Sequence, residues 1–148
     1  MKLYLDLCLF YRSFDDQSNE RIKLETNILI ILLGYVSTGK AHLVNSFALE
    51  FENSKNPKLE NKIKVSSLLS YATDYIEYDE KIVTRSITLE KNGIMSMDAL
   101  HIACAEYANV DYFITCDDKL IKQLKKTMNL KIACYDSIDF IYREIFKL

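Results

Sequence analysis

Five short β-prone runs lie along the chain, Leu3–Phe10, His42–Asn45, Tyr75–Tyr78, Asp111–Cys116 and Lys131–Tyr135, with room for a helix between each neighbouring pair. Antiparallel strands can be joined by two residues, whereas parallel strands need a crossover of a dozen or more. The spacing therefore predicts an α/β domain with a mainly parallel sheet. Leu3–Leu7 and Tyr112–Thr115 are apolar enough for burial on both faces, which predicts two neighbouring inner strands. The intervening segments read as helices. Glu20–Val36 turns apolar all round in its later half, and Ser46 can cap a short helix through Glu52. Asn56-Pro57 reads as a helix start, Asn as cap and Pro in the first helical position, with Leu59, Ile63, Leu69 and Ala72 on one face. Ile82, Val83, Ile87 and Leu89 suit a helix stopped at Gly93, and Met97, Leu100, Cys104 and Tyr107 mark Ser96–Ala108. Asp117 or Asp118 opens a helix carrying Leu120, Ile121 and Leu124, and Ile138, Ile141, Tyr142 and Ile145 mark the last. Only 3 glycines and 1 proline occur in 148 residues, which excludes the turn-dense all-β folds. No linker, repeat or composition break interrupts the chain, so residues 1–148 are read as one domain.

A net charge of −2 excludes a strongly basic nucleic-acid-coating protein, so any such contact must rest on local patches. The longest unbroken apolar run, Ile28–Leu33, falls far short of the ~18 residues that suggest a membrane span. No secretory leader is recognisable at the start. The four cysteines, Cys8, Cys104, Cys116 and Cys134, form no C-x-x-C pair and read as reduced, mostly buried thiols. Together these features predict a soluble, cytoplasmic protein without a membrane partner.

A parallel sheet presents its ligand site at the carboxyl ends of the strands, where strand order reverses. Acids fall at such positions. Asp6 interrupts the apolar LYLDLCLF, Asp117 and Asp118 directly follow DYFITC, and Asp98 lies in the first turn of the Ser96 helix. Glu50 and Glu52 share the short helix after the second strand but point about 200° apart, so only one faces the crevice. Each acid also has a bland reading. Asp6 can accept backbone N–H bonds, the glutamates can be solvated, Asp98 can favour the helix dipole beneath a Ser96 cap, and Asp117 or Asp118 can cap a helix. Convergence shifts the balance. Several carboxylates in one crevice repel unless a cation neutralises them, and hard oxygen donors suit Mg²⁺ or Mn²⁺. Such ions activate water and stabilise charge on a phosphodiester. His101, three residues after Asp98, reads as a satisfied interior histidine rather than a ligand. The lysines Lys119, Lys122, Lys125 and Lys126 read as a solvated helix face, and no tyrosine stands out as a base-stacking platform.

The segments MKLYLDLCLFYRSFDDQ, ALEFENSKNP and SMDALHIACAEYANVDYFITCDDKLIK resemble, in order, those of a PIN domain. The resemblance covers nearly the whole chain and implies a three-layer α/β/α domain around a central five-stranded parallel sheet. It further implies Mg²⁺- or Mn²⁺-dependent cleavage of single-stranded RNA, as in the VapC-type toxins of toxin–antitoxin pairs. An antitoxin and a second copy of the chain are the implied partners. Carried over residue by residue, Asp6, Glu52, Asp98 and Asp117 would carry the chemistry, with Asp6, Asp98 and Asp117 on the metal. Glu50 is the reserve for Glu52, and Thr115, Asp118 and Arg12 are accessory. The chain departs from the family where a small polar residue often follows the first aspartate: here Leu7 and Cys8 stand there. That departure supports an alternative, a catalytically weak PIN-like scaffold acting by RNA or protein binding. An aspartyl-phosphate phosphatase is disfavoured, because it needs a second aspartate where Cys8 stands.

Overall fold

A computed structural model describes residues 1–147. Five strands, β1 (Lys2–Leu5), β2 (His42–Ser46), β3 (Asp74–Ile76), β4 (Tyr112–Thr115) and β5 (Ala133–Asp136), form one sheet in the order β3-β2-β1-β4-β5. Every pairing is parallel, with Leu3 opposite both Leu43 and Tyr112, and Leu5 opposite Ile114. Consecutive residues of the inner strands, Leu3, Tyr4 and Leu5 in β1 and Phe113 and Ile114 in β4, are wholly buried. Side chains alternate faces along a strand, so both faces of the sheet are covered. The helices that cover it are α1 (Leu7–Tyr11), α2 (Glu20–Ser37), α3 (Phe47–Ser54), α4 (Leu59–Leu69), α5 (Glu80–Lys91), α6 (Ser96–Tyr107), α7 (Asp118–Lys126) and α8 (Ser137–Phe140). A short 3-10 turn, Arg12–Phe14, follows α1, and a π-helical turn, Ile141–Ile145, follows α8. Among the described residues no helix is long and apolar enough to cross a membrane. All four cysteines are free, Cys104 and Cys116 buried and Cys8 and Cys134 partly so.

The order reverses at the centre. From β1 the chain builds outward through β2 to β3, then returns to the other side for β4 and β5. The carboxyl ends of β1 and β4 therefore border the switch point where such sheets bind ligands.

Local chemistry corrects several boundaries. The apolar run from Leu3 does not continue as a strand to Phe10. It breaks at Asp6, whose side chain accepts from Leu7 N and caps α1, so Leu7 is helical rather than the end of β1. An apolar run buried on all sides has no periodicity to mark such a switch. Asn56 does not cap α4. Its Oδ1 accepts from Lys58 N in a turn around Pro57, and the helix begins at Leu59 behind Lys58. The face of α4 is also rotated from expectation: Val65 and Leu69 are buried, whereas Leu59 and Ile63 are exposed. Ser96 is the first residue of α6 and not its cap, which is the extended backbone of Met95.

Gly93, after α5, has φ +91°, and a Cβ there would meet Gln123 Nε2 at 2.8 Å. Gly93→Ala should lower stability by roughly 1–2 kcal/mol, from the left-handed backbone and the displaced Gln123–Asn92 hydrogen bond. A urea midpoint equal to that of the parent would contradict this.

Candidate metal centre

Two strand ends and two helices carry the acids. Asp6 follows β1, Asp117 follows β4, Glu52 lies on α3 after β2, and Asp98 enters from the first turn of α6. Asp6 is nearly buried, and each oxygen has donors: Oδ1 accepts from Leu7 N at 2.8 Å, and Oδ2 from Thr115 Oγ1 at 2.7 Å. The Cys8 thiol lies 3.5 Å from the same Oδ2. Asp117 uses Oδ1 to accept from Lys119 N and Leu120 N, which caps α7 and leaves its other oxygen unused.

Glu52 is held from beneath. His101 is fully buried, with Nε2 at 2.9 Å from Glu52 Oε1 and Nδ1 at 2.7 Å from Tyr4 Oη. A carboxylate can only accept, so Nε2 is the donor to Glu52, and Nδ1 is engaged by the Tyr4 hydroxyl on the core side. Tyr4 in turn shares a 2.7 Å hydrogen bond with Ser46 Oγ, which accepts from Leu49 N at the start of α3. Burial pushes the Tyr4 phenol well up, which keeps it a donor. Ligand atoms of Asp6, Glu52 and His101 all lie within 4.8 Å of one another. The expectation of an interior, satisfied histidine therefore holds, and its partner is Glu52.

Asp98 is partly buried. Burial first, then the charges of Asp6, Asp117 and Glu52, push its carboxyl up to about 6 against a smaller opposing pull from His101. Four carboxylates thus share one electrostatic neighbourhood. The cluster that could hold a divalent cation is Asp6 and Glu52 with His101, and the charges of Asp98 and Asp117 add a like-charge repulsion that such an ion would relieve.

The remaining candidates separate. Glu50 faces away, accepting from Tyr75 Oη at 2.9 Å and from Asn45 Nδ2 at 3.2 Å. Thr115 orients Asp6. Arg12 is tied to buried Glu25 at 2.9 Å and to Asp15 at 3.1 Å. Asp118 is bound by both terminal nitrogens of Arg21, at 2.7 and 2.8 Å. Leu7 is a core residue, and the position that touches Asp6 is Cys8. Of the two departing residues, Cys8 places its thiol beside the Asp6 carboxylate, and Leu7 reaches it only through its backbone N–H.

Arg21 was not foreseen. From α2 it grips Asp118 while its Nε lies 3.5 Å from Glu25 Oε2 and its Nη2 3.6 Å from Asp136 Oδ2. Those two oxygens are buried and have no hydrogen-bond partner, so Arg21 supplies the charge facing both. Its removal leaves buried carboxylates under-compensated. Arg21→Ala should cost about 2–4 kcal/mol in urea unfolding, and Arg21→Lys, lacking the planar fork, should recover only part. A loss below about 0.5 kcal/mol would show that the cluster is merely a solvated surface pair.

The family comparison agrees with this geometry. The family model described as PIN domain matches residues 26–126. The chain belongs to the PIN domain family. Solved structures with the same fold include FitAcB from Neisseria gonorrhoeae, 15% identical with a TM-score of 0.56, covering 92% of this chain and 98% of that one. VapBC2 from Rickettsia felis, solved bound to a DNA fragment from its promoter, is 19% identical with a TM-score of 0.58 and coverage of 92% and 98%. VapBC-1 from nontypeable Haemophilus influenzae is 22% identical with a TM-score of 0.55 and coverage of 93% and 99%. At these identities the likeness establishes the PIN fold. No curated protein matches the chain.

Proposed function

We propose that this PIN domain is a Mg²⁺- or Mn²⁺-dependent endoribonuclease acting on single-stranded RNA, the toxin of a toxin–antitoxin pair. The observation that carries the reading is the cluster of Asp6 and Glu52 beside His101, joined by Asp98, whose carboxyl is pushed up to about 6 by burial and then by the charges of Asp6 and Asp117. Asp6, Asp98 and Asp117 would hold the ion, with Glu52 completing the acidic set. When bound, a divalent ion supplies charge neutralisation at the phosphodiester and a more acidic water.

The chain's own residues set the geometry. Thr115 and Leu7 N fix both oxygens of Asp6, so this carboxylate cannot swing away. The Ser46–Tyr4–His101 chain fixes Glu52 from the core. The helix-capping bonds of Asp117 engage only Oδ1, so its second oxygen is free for an ion. Preorganised carboxylates of this kind need no rearrangement when charge develops on the substrate.

The antitoxin and a second copy of the chain are the proposed protein partners. The VapBC structures support the first. For the second, a cavity of about 460 Å³ bordered by Phe47, Phe51, Tyr78, Ile87 and Met97 leaves apolar side chains uncovered, with Phe51, Tyr78 and Ile87 about half exposed or more. Light scattering should report a dimer at micromolar concentration, and a monomer at every concentration would remove that partner. The nuclease is tested by incubating the purified protein with a panel of single-stranded RNAs. Cleavage should require Mn²⁺ or Mg²⁺ and stop with chelator. Intact RNAs under all these conditions would leave a PIN-like scaffold that acts by binding.

A further inference from the structure

The acid cluster is flanked by two cavities, each of which borrows one of its members as wall. One, of about 530 Å³, includes Asp117 and Cys8 beside Arg12 and Arg21. The other, of about 350 Å³, includes Glu52 and is lined by Tyr11, Phe14, Lys55, Asn56 and Lys58. The second has an unusual composition for this protein. Two aromatic rings, both partly exposed, form its side from α1 and the 3-10 turn. Its rim comes from the segment before α4, which supplies Lys55 and Lys58, and Lys62 and Lys64 follow on α4 itself, four lysines within ten residues of a chain whose net charge is −2. Lys64 Nζ stands 5.7 Å from the Phe14 ring centroid, and Lys55 Nζ stands 4.3 Å from that of Phe51. Asp15, the other acid in the wall besides Glu52, is neutralised by Arg12 at 3.1 Å.

We propose that this cavity is a nucleotide subsite, in which a base of the RNA strand stacks against Phe14 and Tyr11 while Lys55 and Lys58 take the adjoining phosphates. The proposal rests on the nuclease reading and adds where the strand lies relative to the scissile bond. Aromatic faces with lysines at the rim are the general means of holding single-stranded nucleic acid. The amides of Asn56 and Asn61 add donors and acceptors that a base edge can use. Because Glu52 belongs to both the cavity and the acid cluster, a nucleotide held here places its neighbouring phosphodiester at the acids.

The test measures binding without cleavage, so its outcome is separate from that of the nuclease assay. Fluorescence anisotropy of a short labelled single-stranded RNA is recorded with the whole protein in Ca²⁺. Phe14→Ala should weaken binding about tenfold or more, the loss of one stacked base. Lys58→Glu should weaken it too and lower the salt slope by about one phosphate contact. Lys58→Glu changes an exposed side chain that makes no cap bond, so it remains informative if Phe14→Ala fails to fold. RNA bound equally by parent and both variants would overturn the subsite while leaving the nuclease intact. No binding of RNA by the parent would overturn it as well. A labelled polyglutamate peptide that binds with the same variant sensitivity, where RNA does not, would reassign the cavity to an acidic partner protein.

Discussion

Asp6→Asn should reduce RNA cleavage by roughly 10²–10³-fold or more while leaving the fold in place. The asparagine carbonyl can still accept from Leu7 N, and its amide meets Thr115 Oγ1, a hydroxyl able to turn from donor to acceptor. Local structure is therefore satisfied, and what disappears is one negative charge at the centre of the acid cluster. The thermal midpoint should stay within a few degrees of the parent. Asp118→Asn is the contrasting control. Its carboxylate faces Arg21 on the exposed side of the loop, so cleavage should fall by less than about tenfold. Comparable losses in the two variants would mean that loop integrity, rather than the charge of Asp6, governs activity.

Asp98→Asn should stabilise the metal-free protein at neutral pH. A carboxyl whose folded pKa lies above its unfolded value of about 3.9 binds more protons folded than unfolded between the two. Stability therefore falls as pH rises through the window from about 4 to about 6, the raised value of Asp98. Two units would amount to about 3 kcal/mol for a fully buried group; partial exposure of Asp98 reduces this to about 1–2 kcal/mol. The favourable first-turn dipole lost with the charge is worth about 0.5 kcal/mol in the opposite sense. The net gain above pH 6 is about 1 kcal/mol, vanishing below pH 4. Mn²⁺ should reverse the order, because the parent gains linkage stabilisation that the variant lacks. A variant less stable than the parent at pH 7 without metal would show that Asp98 serves the helix and not the pocket.

The parts of this architecture legible in the sequence are those whose cause is local. A carboxylate inside an apolar run, as at Asp6, is costly enough to signal a purpose from one segment alone. Ser46 and Asp117 announce their helices by ordinary capping chemistry. The boundary at Asp6 was hidden because Leu3–Phe10 is buried throughout, first as strand and then as helix, and such a run has no period. What distinguishes Glu52 from Glu50 in the structure is its bond to His101, which lies 49 positions away on a helix whose every inward position reads as core. Arg21 and Glu25 look like a routine i,i+4 surface pair on α2. Only the tertiary fold buries Glu25 and brings Asp118, 97 positions from Arg21, against the guanidinium. Of the two residues after Asp6, it is the Cys8 thiol that comes to 3.5 Å from the carboxylate, while the Leu7 side chain packs into the core.

Calorimetric titration of Mn²⁺ tests the central claim, that these acids form a divalent-cation site. The parent protein should bind Mn²⁺ with a heat that Mg²⁺ competes away, and Asp6→Asn and Asp98→Asn should each weaken that binding at least about tenfold. Glu50→Gln, whose carboxylate is turned toward Tyr75, should bind as the parent does. Undiminished Mn²⁺ binding in both aspartate variants, or a loss in Glu50→Gln equal to theirs, would contradict the account.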